Sequence, residues 1–219
     1  MGGQSRDNCA PESVRLTRPA PWLIAVIAGW LALVGTGTFA LARYKEKPGA
    51  SAHAPSTWPG SDIIRVTDRP TLVLFAHPMC PCTRATISEL NRLVGRLDGR
   101  VTFYVLFLGL DDAPDDWSTS DLIVQAKAIP GVQVLVDHRG EEAARFGTRT
   151  SGQVLLYDTA GQLQFEGGIT TARGHEGDSP GAGRILALVG GDTKGTASTA
   201  PVFGCGLNEE NPERGAGGL

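Results

Sequence analysis

Residues 71–97 read TLVLFAHPMCPCTRATISELNRLVGRL, and this stretch decides the fold. Thr71–His77 is a short apolar run of the kind that forms a strand buried on both faces. From Thr83 the period changes: Ile87, Leu90, Val94 and Leu97 fall on one face of a helix predicted over Thr83–Leu97. Between them lies His77-Pro78-Met79-Cys80-Pro81-Cys82, a turn with two cysteines where strand passes into helix. Helix starts carry unsatisfied N–H groups and about half a positive charge, which favour a thiolate. Cysteines so placed have pKa values lowered to about 3.5–7.5, and the thiolate is the reactive species. Pro81 has no N–H to leave unpaired and fixes its own φ, stiffening the turn between the sulfurs. A disulfide across one residue closes a smaller, more strained ring than C-x-x-C does, and strain favours exchange. A purely structural bridge there would add little, because the gain grows with loop length. Cys80 and Cys82 are therefore read as a reactive pair.

The pattern continues outward. Val101–Gly109 predicts a second buried strand. Ser118 with Asp121 reads as a capping box opening a helix to about Ala128. Val132–Asp137 predicts a third strand, and Glu141–Phe146 a short helix ended by Gly147. Gln153–Asp158 and Leu163–Ile169 are joined by Thr159-Ala160-Gly161-Gln162, a hairpin signal. Ala182–Val189 is the last helical stretch. The order β-α-β-α-β-α-β-β-α predicts an α/β fold: a mainly parallel central sheet, an antiparallel edge hairpin, and helices on both faces.

Upstream, Trp22–Ala42 (WLIAVIAGWLALVGTGTFALA) holds no charge in 21 residues. As a helix it spans roughly 31 Å, matching a hydrocarbon core of about 30 Å. Trp22 and Tyr44 stand where interfacial aromatics belong. Ala40-Leu41-Ala42 fits a signal-peptide cleavage site, but the apolar run exceeds the roughly 7–15 residues of a signal sequence, so an uncleaved anchor is expected. Arg6, Arg15 and Arg18 precede the segment and Arg43, Lys45 and Lys47 follow it, so charge leaves the orientation open. The expected layout is an N-terminal arm (1–21), a transmembrane anchor (22–42), a linker (43–61), a folded domain (62–190) and a Gly-rich tail (191–219). An anchor also divides the cysteines, placing Cys9 across the bilayer from Cys80, Cys82 and Cys205.

Phe75-Ala76-His77-Pro78-Met79-Cys80-Pro81-Cys82 resembles the thioredoxin segment in which an aromatic-Ala pair leads into C-G-P-C. Phe146-Gly147-Thr148-Arg149-Thr150-Ser151-Gly152-Gln153-Val154-Leu155-Leu156-Tyr157 resembles the thioredoxin Y-G-x-R-x-x-P-T-x-x-x-F stretch. The resemblance to the thioredoxin-like superfamily covers about residues 62–190. With an anchor and a C-terminal F-G-C, the layout is most similar to the small membrane-anchored RedB-like branch. It implies a thioredoxin-like fold and thiol–disulfide exchange with a protein thiol or disulfide partner. The implied setting is a single-pass inner-membrane protein with its domain facing the periplasm. On that alignment Pro81 is the intervening proline, and Cys82 takes the second cysteine, lying deeper at the helix start. Cys80 is then the attacking thiolate on the loop side and Cys82 the resolving thiol. Two departures stand out: the spacing is C-P-C, and Gly152 occupies the position of the family's cis-proline. In the family that proline discourages metal binding, so the resemblance, with Gly152 in its place, leaves room for a metal site.

Cys205, in Pro201-Val202-Phe203-Gly204-Cys205-Gly206-Leu207, is either an inert thiol or a third thiol that resolves a mixed disulfide or ligates a metal. No cofactor is expected; the alternative is copper(I) held by Cys80, Cys82, His77 and Cys205, a soft ligand set. Against it, His77 reads as a strand end and Met79 as packing. A peroxide-reducing enzyme with Cys205 as resolving thiol is a weaker alternative, since no threonine stands three residues before a candidate nucleophile. Gly167–Arg184 matches no phosphate-binding pattern and reads as an exposed loop, with Arg173 or His175 as the alternative thiolate-stabilising residue. Asp111, Asp112, Asp115 and Asp116 lack the EF-hand spacing and read as a solvated acidic loop. A net charge of −3 with 20% charged residues argues against nucleic acid as the partner. Four cysteines in 219 residues are too few for a disulfide scaffold, which takes about 8–10%.

Overall fold

The computed structural model describes residues 20–50, 53–109, 120–192 and 198–207. Cys9, Ser118 and the acidic cluster at 111–116 lie outside them. The chain divides into two units, Met1–Arg43 and Tyr44–Leu219. Helix α1 (Pro21–Glu46) begins in the first; it is long and apolar enough to cross a membrane, and none of its residues is buried.

The second unit holds β1 (Thr71–Ala76), α2 (Thr83–Leu97), β2 (Thr102–Gly109), α3 (Asp121–Lys127), β3 (Val132–His138), α4 (Glu141–Arg145), β4 (Gln153–Tyr157), β5 (Leu163–Gly167), α5 (Pro180–Val189) and β6 (Ser198–Thr199). The sheet order is β3-β2-β1-β4-β5-β6. β1–β2 and β2–β3 pair in parallel, while β4 runs antiparallel to both β1 and β5. The hairpin does not end the sheet: β6, from the stretch read as a free tail, adds in parallel to β5.

Alternation along β1 explains why its run is apolar throughout. Leu72, Leu74 and Ala76 face Ile87, Leu90, Leu93 and Leu97 of α2 and Ile185 of α5 in one core. Val73 and Phe75 join Tyr104, Leu106, Leu155 and Tyr157 in the other, closed by Ala143, Phe146 and Leu207. Successive strand side chains point to opposite faces, so a strand with two covered faces has no polar position. Trp58, in the stretch read as linker, packs edge-on against Phe146 and Tyr157 at 5.0 and 5.2 Å, so that stretch belongs partly to the second core.

Two helix starts differ from expectation. α3 is capped by Ser120, whose Oγ accepts from the Ile123 N–H, in place of the Ser118 box. α5 begins two residues early, because Ser179 Oγ accepts from the Ala182 N–H and Pro180 takes the first turn, where its missing N–H costs nothing.

Candidate active site

β1 ends at Ala76, and α2 starts at Thr83 with Cys82 as its N-cap residue. The turn between them is braced by Ser151, just before β4. Ser151 Oγ accepts from the His77 N–H at 2.8 Å and lies 2.7 Å from Thr83 Oγ1. His77 Nδ1 accepts from the Met79 N–H at 3.1 Å, so a neutral imidazole carries its proton on Nε2. Burial depresses the His77 pKa, only partly offset by the nearby Cys80 charge, and so favours that neutral form. Gly152 donates its N–H to Phe75 O at 2.8 Å and has φ +91°. Proline fixes φ near −65° and has no N–H, so neither feature of Gly152 is open to it.

The C-terminal stretch returns to this turn. Ser151 N–H donates to Cys205 O, and Leu207 N–H to Arg149 O, both at 2.8 Å, with an antiparallel bridge between Thr150 and Gly206. Phe203 and Leu207 are buried on either side of Cys205. A Cβ on Gly204 would run into the Ser151 carbonyl, so only glycine fits before Cys205.

This docking sets Cys205 Sγ 3.0 Å from Cys80 Sγ. The distance is too long for a disulfide bond, about 2.05 Å, and both cysteines are free. The charge belongs on Cys80. The Cys205 hydrogen bond outweighs burial and, with Thr83 hydroxyl and backbone donors, pulls the Cys80 pKa down to about 4. Cys205 is pushed up, by its hydrogen bond to Cys80, by burial and by the Cys80 charge. Cys82 is also pushed up, by burial and the same charge, with Arg173 opposing.

One expectation changes here. Cys80, 1% exposed, is the buried sulfur, whereas Cys82 is half-buried; the expectation of a deeper Cys82 is reversed, because Cys82 already occupies the helix cap. Both other sulfurs reach Cys80: Cys205 at 3.0 Å, and Cys82, whose side chain also hydrogen-bonds it. Arg173, from the loop after β5, reaches the site and donates from Nη1 to Gly204 O at 2.7 Å, while His175 is exposed. Ser151 and Thr83 were not singled out from the sequence; a buried hydroxyl bonded to backbone leaves no periodic mark. Among the described residues, no group of three or more His, Cys, Asp or Glu side chains that could hold a metal ion is found. An open groove of about 390 Å³ at this turn is lined by Met79, Cys80, Pro81, Arg84 and Leu122.

No family model matches the chain, and no curated protein matches it. Among solved structures, a hypothetical protein from Sinorhizobium meliloti 1021 superposes with a TM-score of 0.55 at 20% identity, covering 73% of this chain and 98% of that one. An uncharacterized conserved protein from Geobacillus kaustophilus gives 0.53 at 17%, covering 76% and 92%. A secreted Mycobacterium tuberculosis disulfide oxidoreductase homologous to E. coli DsbE gives 0.40 at 16%, covering 56% and 81%. The fold is thioredoxin-like. In this thioredoxin-like domain the two-cysteine turn sits between the central strand and its following helix, beside the loop that leads into β4.

Proposed function

We propose that this chain is a membrane-anchored thiol–disulfide oxidoreductase in which Cys80 attacks and Cys205 resolves. The observation that carries the reading is the 3.0 Å approach of Cys205 Sγ to Cys80 Sγ, with the Cys80 pKa lowered by that contact and by the Thr83 donors. A thiolate with a low pKa is present across the neutral range, and an adjacent thiol can complete exchange without a large movement. Cys82, assigned from sequence as the resolving thiol, becomes a protonated thiol at the rim of the site. Anchoring through residues 22–42 in the inner membrane, with the domain in the periplasm, fits a protein thiol or disulfide as partner, since disulfides persist in oxidising compartments. The anchor, the C-P-C turn and the F-G-C tail together support assignment to the RedB-like branch.

The test is trapping. Cys205→Ser is expected to accumulate mixed disulfides through Cys80, seen as reductant-sensitive adducts on non-reducing gels. Cys82→Ser is expected to behave as the parent does. Trapping by Cys82→Ser alone would restore Cys82 as the resolving thiol.

A further inference from the structure

The loop between β5 and α5 sends one side chain back to the cysteines. Arg173 Nη1 holds the Gly204 carbonyl at 2.7 Å, while its Nε is buried with no hydrogen-bond partner in the structure. The residue before Cys205 is thus held between Arg173 and the Ser151 carbonyl, and Cys205 O is fixed by Ser151 N–H. We infer that Arg173 is a positioning residue for Cys205: it clamps the segment that aims this sulfur at Cys80 and supplies the positive charge beside it during resolution. The inference rests on the Cys80–Cys205 reading above.

The chemistry shows why that charge matters. The Cys80 thiolate attacks one sulfur of a partner disulfide R–S–S–R, forming Cys80–S–S–R and releasing RS⁻. Cys205 then gives its proton to solvent and attacks the Cys80 sulfur, forming Cys80–S–S–Cys205 and releasing the second RS⁻. The two cysteine thiols lose two electrons, and the partner disulfide gains them. The titratable groups facing Cys205 are Cys80 and Cys82 from the β1–α2 turn and Arg173 from the β5–α5 loop, whose side chain also hydrogen-bonds Cys82. At rest, the Cys80 charge keeps Cys205 protonated. Once Cys80 is in a mixed disulfide that charge is gone, and Arg173 is the group that still favours the Cys205 thiolate against burial.

The experiment uses the full chain, reduced, with Cys9 and Cys82 replaced by serine, so that Cys80 and Cys205 are the thiols that react. One equivalent of an aromatic disulfide releasing a coloured thiolate gives two phases, attack and resolution. Arg173→Gln is expected to lower the ratio of the second to the first rate constant about tenfold at neutral pH. It should also raise the pH midpoint of the second phase by about one unit. Arg173→Lys keeps the charge but not the planar fork, so it should keep the midpoint while losing about threefold in the ratio. Parental ratio and midpoint in Arg173→Gln overturn the inference. Should that variant not fold, Arg173→Lys decides, and parental values of both, or a raised midpoint, overturn it. A second phase that survives Cys205→Ser refutes the Cys80–Cys205 reading instead, so the two failures are distinguishable.

Discussion

Replacing Cys205 by alanine pulls two effects on Cys80 in opposite directions, and the structure decides between them. The substitution removes the hydrogen bond that is the largest cause of the low Cys80 pKa. It also uncovers a sulfur that is 1% exposed, easing the desolvation that pushes the other way. A hydrogen bond to a charged group contributes about 1.5–3 kcal/mol, and one pKa unit corresponds to about 1.4 kcal/mol. Loss of the bond is therefore worth roughly one to two units upward, more than the eased burial returns, because burial ranks below it. The Cys80 midpoint should rise from about 4, by less than those one to two units because eased burial offsets part of the gain. The assay is the pH dependence of iodoacetamide alkylation at Cys80, followed by mass, with thiolate absorbance as a check. The parent should show an alkylating thiolate well below pH 6, where an ordinary thiol of pKa about 8.5 is silent. At the same time the plateau rate at high pH should rise in Cys205→Ala, because the sulfur is uncovered. A parental midpoint near the ordinary thiol value, or an unmoved midpoint in Cys205→Ala, would refute the reasoning.

Other outcomes follow from the same contacts. Gly204→Ala puts a methyl group against the Ser151 carbonyl, so the Cys205 segment must shift. The expected cost is about 1–3 kcal/mol, read by chemical denaturation, with faster alkylation of Cys80. Ser151→Ala strips the His77 N–H of its acceptor and Thr83 Oγ1 of its neighbour at a buried position. A loss of about 1–3 kcal/mol in stability is expected, with the Cys80 alkylation midpoint displaced as the Thr83 donors reorient.

Much of the domain is legible in the sequence because its core elements carry periodic marks. The change at residues 77–83 from a continuous apolar run to a 3–4 spacing gives β1, the turn and α2, and the α2 limits agree with the reading. What the sequence does not carry is the pairing of 149–151 with 205–207. Those bonds are main chain to main chain, and Gly204-Cys205-Gly206 has no side-chain pattern to announce them. Cys205 accordingly reads as either an inert or a functional thiol until the backbone is seen. The sequence places Cys82 deeper by analogy with C-x-x-C. With one residue fewer between the cysteines, Cys80 drops into the buried place and Cys82 takes the cap. Arg173 is hidden for another reason: it stands in a Gly-rich loop whose composition says only that the chain turns.

Cys80 and Cys205 are separated by 125 positions. A bond between Cys80 and Cys82 would restrain almost nothing of the unfolded chain. A bond between Cys80 and Cys205 would turn α2 through β6 into a closed ring, with β1 lying just outside it. Closing a loop of that size removes conformational freedom from the unfolded state worth about 4–5 kcal/mol. The electron pair that leaves with the substrate would thus alter the folding equilibrium of the whole domain, and reducing agents would act on this protein as mild denaturants.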